Sequence, residues 1–155
     1  DIVSGTVVEF EKDILHCKAK RTLPLSKEEI LKFAGRRNPF NHPCVMYRKE
    51  AVEKAGGYQH FYLFEDYYLW ARMLLLGVEA RNLPDTLLYM RAGTGMYKRR
   101  GGWKYVKSML HFRLFLWKSG LSSFWDFVVC AGGQMMICLI PNRLRELFYK
   151  KFLRK

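Results

Sequence analysis

The chain has 155 residues with 27 basic and 14 acidic side chains, a net charge of +13, and half of it is hydrophobic. That length fits one folded domain, and that apolar content excludes wholesale disorder. The charge is uneven: residues 1–90 hold 13 basic against 12 acidic side chains, whereas residues 91–155 hold 14 against only Asp126 and Glu146.

Taken in chain order, Ile2–Phe10 and Ile14–Lys20 read as strands around the acidic turn Glu11–Asp13. Ser26 followed by Glu29 forms a capping box, with Ile30, Leu31 and Phe33 at helical spacing before Gly35. Pro39 and Pro43 bracket an irregular stretch, followed by a strand over Cys44–Tyr47 and a helix from Lys49 to Ala55 closed by Gly56-Gly57. A helix from Glu65 to Leu76 ends at Gly77. Leu83-Pro84-Asp85 reads as a turn before a strand over Thr86–Arg91. Strands alternating with helices predict α/β organisation for residues 1–91. Because the chain opens directly on a strand-like run, it reads as a piece of a longer architecture.

Beyond Arg91 the pattern is helical and basic. From Trp103 to Lys118, Lys104, Lys107, His111 and Lys118 fall in one arc at about 100° per residue. Trp103, Val106, Met109, Leu110, Phe112, Leu114, Leu116 and Trp117 fill most of the rest, interrupted by Arg113. Residues 121–140 have the length to cross a bilayer as a helix, but Asp126, Gln134 and Gly132-Gly133 argue for an interfacial or packed helix. Arg143, Arg145, Lys150, Lys151, Arg154 and Lys155, mixed with Leu144, Leu147, Phe148, Tyr149 and Phe152, continue the basic amphipathic theme. The four cysteines, Cys17, Cys44, Cys130 and Cys138, have no metal-site or redox spacing and read as free, mostly buried thiols of a reducing compartment.

The densest unusual stretch is Tyr58–Trp70, where seven of thirteen residues are aromatic and Glu65-Asp66 opens a helix. Two readings stand side by side. In one, Asp66 caps the helix, Glu65 favours its positive end and the aromatics are core. In the other, a carboxylate walled by aromatic faces serves as a general base, with the rings suited to the C–H faces of sugars.

Asn38-Pro39-Phe40-Asn41-His42-Pro43, Val45-Met46-Tyr47-Arg48-Lys49, Ala55-Gly56-Gly57-Tyr58, Glu65-Asp66-Tyr67-Tyr68-Leu69-Trp70-Ala71-Arg72-Met73 and Met96-Tyr97-Lys98-Arg99-Arg100-Gly101-Gly102-Trp103 occur in that order. The series resembles the C-terminal half of bacterial family-2 glycosyltransferases, in the branch that builds capsular and exopolysaccharide repeat units. The resemblance implies an α/β fold: an incomplete GT-A (Rossmann-like) domain over residues 1–91, followed by basic amphipathic helices over 92–155. It implies an inverting transfer from a nucleotide-sugar donor to a saccharide carried on a polyprenyl diphosphate. Asp66 would be the catalytic base and Glu65 would orient the site. Asn41, His42, Trp70 and Arg72 would line the acceptor side, although Trp70 and Arg72 also read as structural.

The family holds Mg²⁺ or Mn²⁺ with an Asp-x-Asp motif, which is absent from this chain. The resemblance therefore places the metal ligands upstream, none within these residues, and predicts that this chain alone is inactive. For the basic half, attraction to an anionic membrane surface at the cytoplasmic face of the bacterial inner membrane is favoured over nucleic-acid binding or simple packing, since the charges are interleaved with bulky apolar residues. Lys98, Arg99 and Arg100 read equally as contacts to a diphosphate or to lipid headgroups. A membrane-surface binding module without enzymatic activity is the competing function.

Overall fold

The computed structural model describes residues 1–92 and 102–139. They form a mixed α/β structure around one open sheet. The central strand is β1 (Ile2–Phe10), a run of small and β-branched residues buried along nearly its whole length, as expected of a strand covered on both faces. It pairs antiparallel with β2 (Cys17–Arg21) and β3 (Met46–Tyr47), and parallel with β4 (Ala80–Arg91). Ile2 pairs with both Tyr47 and Ala80, and Val7 with both Arg21 and Leu88. A strand has only two edges, so β2 and β3 follow one another along the edge opposite β4.

Several boundaries differ from the sequence reading, each for a local reason. The second strand begins at Cys17 because Asp13 builds a turn: its side chain accepts from the Leu15 N–H (3.1 Å) and its carbonyl from the His16 N–H (3.1 Å). Cys44 belongs to a 3-10 turn over His42–Cys44, with Pro43 inside it, and β3 is only Met46–Tyr47. The expected turn at Leu83-Pro84-Asp85 is instead a bulge within the continuous β4. Gly5 opposes Leu83 and Thr6 opposes Thr86, leaving Pro84 and Asp85 outside the ladder. Pro84 has no N–H to give the ladder, and its carbonyl accepts the Thr6 hydroxyl at 3.2 Å.

Helix α1 (Lys27–Ala34) opens on the expected capping box: Ser26 Oγ accepts from the Glu29 N–H (3.3 Å), and Glu29 accepts from the Ser26 N–H (3.2 Å). These backbone hydrogen bonds hold the Glu29 carboxyl below its ordinary pKa. Gly35 after it has an ordinary φ of −70°. Space is what requires glycine there, because a Cβ would sit 2.5 Å from the Leu121 carbonyl oxygen. Helix α2 (Lys49–Lys54) ends in the Gly56-Gly57 turn, where φ is +79° and +63°.

Helix α3 (Glu65–Leu75) is shared between two hydrophobic clusters. Leu69, Trp70, Met73 and Leu74 pack with Ile30 and Ala34 of α1, Ala51 of α2, and Ile2 and Ala80 of the sheet. Tyr67 and Ala71, with Phe64 just before the helix, pack with α4 (Trp103–Lys118) and α5 (Phe124–Leu139) through Tyr105, Val106, Met109, Phe112, Leu116, Ala131 and Cys138. Lys104, Lys107, His111 and Lys118 are exposed along α4, as their spacing predicts.

Arg113, the interruption in that helix's apolar arc, is buried and bonds three acceptors: the carbonyls of Gly35 (3.3 Å) and Arg36 (2.9 Å), and Gln134 Oε1 (2.9 Å). It satisfies the carbonyl end of α1 from a different part of the chain. The Tyr67 hydroxyl adds a 2.5 Å bond to the Ala34 carbonyl. The polar residues of α5 do similar work: Gln134 takes Arg113, and Asp126 takes Arg36 Nε at 2.7 Å. No helix among the described residues is long and apolar enough to cross a membrane. Of the four cysteines only Cys138 is buried; Cys17 is exposed and the other two are intermediate, so the thiols are more open than the sequence reading expects.

Candidate active site at the start of helix α3

The chain enters α3 through a tight turn. Leu63 adopts φ +61°, a left-handed conformation costing a side-chain-bearing residue roughly 1–2 kcal/mol, and the Phe64 N–H closes the turn on the Phe61 carbonyl at 2.9 Å. Phe64 occupies the cap position and offers no side-chain acceptor. The following two residues are Glu65, exposed, and Asp66, whose side chain is 22% accessible. Both carboxylates therefore sit at the positive end of the helix dipole.

Asp66 is held on both oxygens. Oδ1 accepts the Tyr67 N–H at 2.7 Å, and Oδ2 accepts Asn38 Nδ2 at 3.0 Å. His42 Nδ1 stands 3.9 Å from the same Oδ2, while its Nε2 lies 3.1 Å from the Tyr58 hydroxyl. Tyr58 is pushed strongly upward in pKa, first by partial desolvation, then by its hydrogen bond to Tyr47 and the charges of Asp66 and Glu65. It stays a neutral phenol. Carboxylate, imidazole and phenol thus form a short polar row that remains open to solvent, with His42 about half accessible and Tyr58 exposed.

Trp70 lies beneath this row, fully buried. Ring centroids of Tyr47 (5.7 Å), His42 (5.9 Å), Phe40 (6.0 Å) and Tyr58 (6.2 Å) surround it, mostly edge to face. Its place is that of a platform on which His42 and Tyr58 are set. Asn41 is also fully buried. Its amide donates to the Gly5 (2.8 Å) and Arg21 (3.1 Å) carbonyls, and its own N–H donates to Ser4 Oγ at 3.1 Å. It ties the irregular stretch to the sheet and so fixes its neighbour His42. Arg72 donates to the carbonyls of Ala55 and Gly57 and stacks 4.5 Å over Tyr68. It secures the turn before Tyr58 rather than facing the open row.

Asn38 and Tyr58 join the site although sequence reasoning gave neither a role. Their signal was present, since Asn38 begins the two-proline stretch and Tyr58 follows the double glycine, but the partners are 28 and 16 residues away. Among the described residues no group of three or more His, Cys, Asp or Glu side chains could hold a metal ion. The Mg²⁺ or Mn²⁺ implied by the resemblance does not fit them.

Comparison with known proteins finds related glycosyltransferases. The chain is 39% identical over 97% of its length to the amylovoran biosynthesis glycosyltransferase AmsE of Erwinia amylovora. It is 34% identical over 99% of its length to the UDP-Gal:alpha-D-GlcNAc-diphosphoundecaprenol beta-1,3-galactosyltransferase of Escherichia coli, and 40% identical to an uncharacterized glycosyltransferase of Haemophilus influenzae.

The chain is homologous to the family-2 glycosyltransferases.

This glycosyltransferase homologue spans about half the length of those curated relatives, 56–57% of each. No family model and no solved structure matches it. Of the residues expected to bear function, Glu65, Asp66, His42 and Trp70 come together at one place, with Asn41 and Arg72 acting behind them as supports. Lys98, Arg99 and Arg100, and the basic tail from Arg143 onward, lie outside the described residues.

Proposed function

We propose that the complete protein is an inverting glycosyltransferase of the GT-A type, moving a sugar from a nucleotide-sugar donor to a lipid-linked saccharide acceptor. The observation that carries this is Asp66: a half-sheltered carboxylate, oriented through both oxygens, at the rim of a row of aromatic and hydrogen-bonding groups. In the reaction, an acceptor hydroxyl attacks the anomeric carbon from the face opposite the leaving group. Its C–O bond forms as the bond to the nucleoside diphosphate breaks, and the hydroxyl proton passes to Asp66. Orientation by Asn38 keeps Oδ2 aimed at that proton. His42 and Tyr58 hydrogen-bond other hydroxyls of the acceptor sugar, and the ring edges pack against its C–H face. Glu65 adds negative charge beside the base and helps orient the site.

The same reading places the protein peripherally on an anionic membrane. Phe124, Trp125, Val128, Val129 and Met136 are exposed along α5, with Trp103 and the basic arc of α4 exposed on the neighbouring helix. An apolar face beside basic groups fits an interfacial surface, each nearby Lys or Arg contributing roughly 1 kcal/mol. The acceptor's lipid carrier resides in such a surface.

Asp66→Asn in the complete protein tests the catalytic part. Sugar transfer should fall by about two to four orders of magnitude with folding and donor binding retained; near-normal turnover refutes Asp66 as the base. Sedimentation with anionic and neutral liposomes tests the membrane part, and equal partitioning refutes it.

A further inference from the structure

Between the loop that leads into α3 and the exposed side of α4 lies a shallow groove of about 320 Å³, lined by His60, Phe61, Tyr62, Lys104, Lys107 and His111, with Ser108 at its base. It is separate from the Asp66 row, and the sequence gives His60 no role.

The groove is built rather than incidental. Ser108 Oγ donates to the Tyr62 carbonyl at 2.8 Å, pinning the loop to α4. Phe61 sets its ring edge to face against Phe112, 5.5 Å away, within the buried cluster. Lys104 Nζ is held 4.3 Å over the Tyr62 ring. Lys104, Lys107, His60 and His111 are exposed, and none of them forms an ion pair with a carboxylate among the described residues. Two ammonium groups and two imidazoles therefore line one aromatic-floored groove, with no carboxylate partner among the described residues. Ammonium groups give three donors each, and a neutral imidazole still gives one.

We propose that this groove binds the diphosphate that links the acceptor saccharide to its prenyl carrier; the inference rests on the lipid-linked acceptor named above. The ligand chemistry is a diphosphate ester, which both the lipid acceptor and the nucleotide donor contain. Position favours the acceptor. Tyr62 and Asp66 are only four positions apart in the chain, at most about 14 Å when extended. A diphosphate in the groove would leave its attached saccharide reaching towards the base. The aromatic floor and the apolar face of α5 would take up the first isoprene units.

Titration calorimetry on the complete protein tests this without requiring turnover, using farnesyl diphosphate, farnesol and UDP as probes. Wild type should bind farnesyl diphosphate more tightly than farnesol. Lys104→Ala/Lys107→Ala should weaken farnesyl diphosphate by about tenfold or more while leaving UDP unchanged. His60→Gln/His111→Gln, which keeps both lysines, should weaken it less, and gives a second reading should the lysine variant unfold. Unaltered farnesyl diphosphate affinity in both variants overturns the site. Selective loss of UDP affinity assigns the groove to the donor and overturns the acceptor claim. Asp66→Asn should bind farnesyl diphosphate normally, so a failure of the catalytic reading and a failure of this one give different results.

Discussion

His42 Nδ1 stands 3.9 Å from Asp66 Oδ2, and that oxygen is already engaged by Asn38 at 3.0 Å. The carboxylate is thus oriented by a neutral amide at hydrogen-bond distance, while the imidazole waits just beyond it. A base arranged this way keeps its orientation without being tied into a tight ion pair.

Asn38→Ala should therefore impair catalysis through aim rather than affinity. In the complete protein, kcat should fall on the order of tenfold, with the KM for donor little changed. Asn38→Gln, longer by one methylene, should not restore it. Steady-state kinetics against both substrates would check this, and an unchanged kcat would remove Asn38 from the site.

Arg113 provides a stability prediction. Replacing it by Met leaves the Gly35 and Arg36 carbonyls and Gln134 without their donor in a buried place. The expected loss is about 3 kcal/mol. Arg113→Lys should recover only part, because a single ammonium cannot span a three-acceptor fork. Denaturant unfolding would measure both.

Gly35→Ala should cost about 1–3 kcal/mol, since the new methyl meets the Leu121 carbonyl oxygen at 2.5 Å with Ser122 close behind. Gly133→Ala is the natural contrast. Nothing lies within 4 Å of a Cβ there, and the site is an exposed helical one, so it should stabilise by about 0.5–1 kcal/mol. Thermal unfolding of the pair separates a packing glycine from a dispensable one.

Acid should act through three carboxylates held below their ordinary pKa: Glu29 by backbone N–H groups, Glu79 by Lys27, and Asp126 by Ser123 and Arg36. A depressed carboxylate contributes stability that is fully present above its unfolded pKa, 4.5 for Glu and 3.8 for Asp, and is lost as pH falls through the lower folded value. The thermal midpoint should stay level from about pH 7 to 5 and decline below about 4.5. Glu29→Gln should flatten part of that decline.

Much of the local architecture is legible in the sequence because its causes are local. Ser26 and Glu29 meet within one turn, and Gly77 at φ +77° closes α3 where the spacing says it should. Pro84 misleads for the opposite reason: a proline signals a turn, yet opposite Gly5 and Thr6 the two extra residues are absorbed as a bulge. The aromatic density from Tyr58 to Trp70 marks the site's neighbourhood without sorting its members. Trp70 becomes a platform only when Phe40, His42, Tyr47 and Tyr58 arrive from other segments. Asn41 next to His42 looks equally available in the sequence. Their opposite fates follow from which one meets the backbone carbonyls of the sheet.

Helix α3 carries Asp66 at one end and packs against the sheet on one flank and against α4 and α5 on the other. It therefore behaves as a single axle between two bodies. Were α5 to settle at a new depth or tilt against a surface, the carboxylate could not stay behind: its bearing would turn with the axle. On the membrane reading, the angle at which the protein lies fixes the compass direction of its base, and the acceptor must approach along that heading.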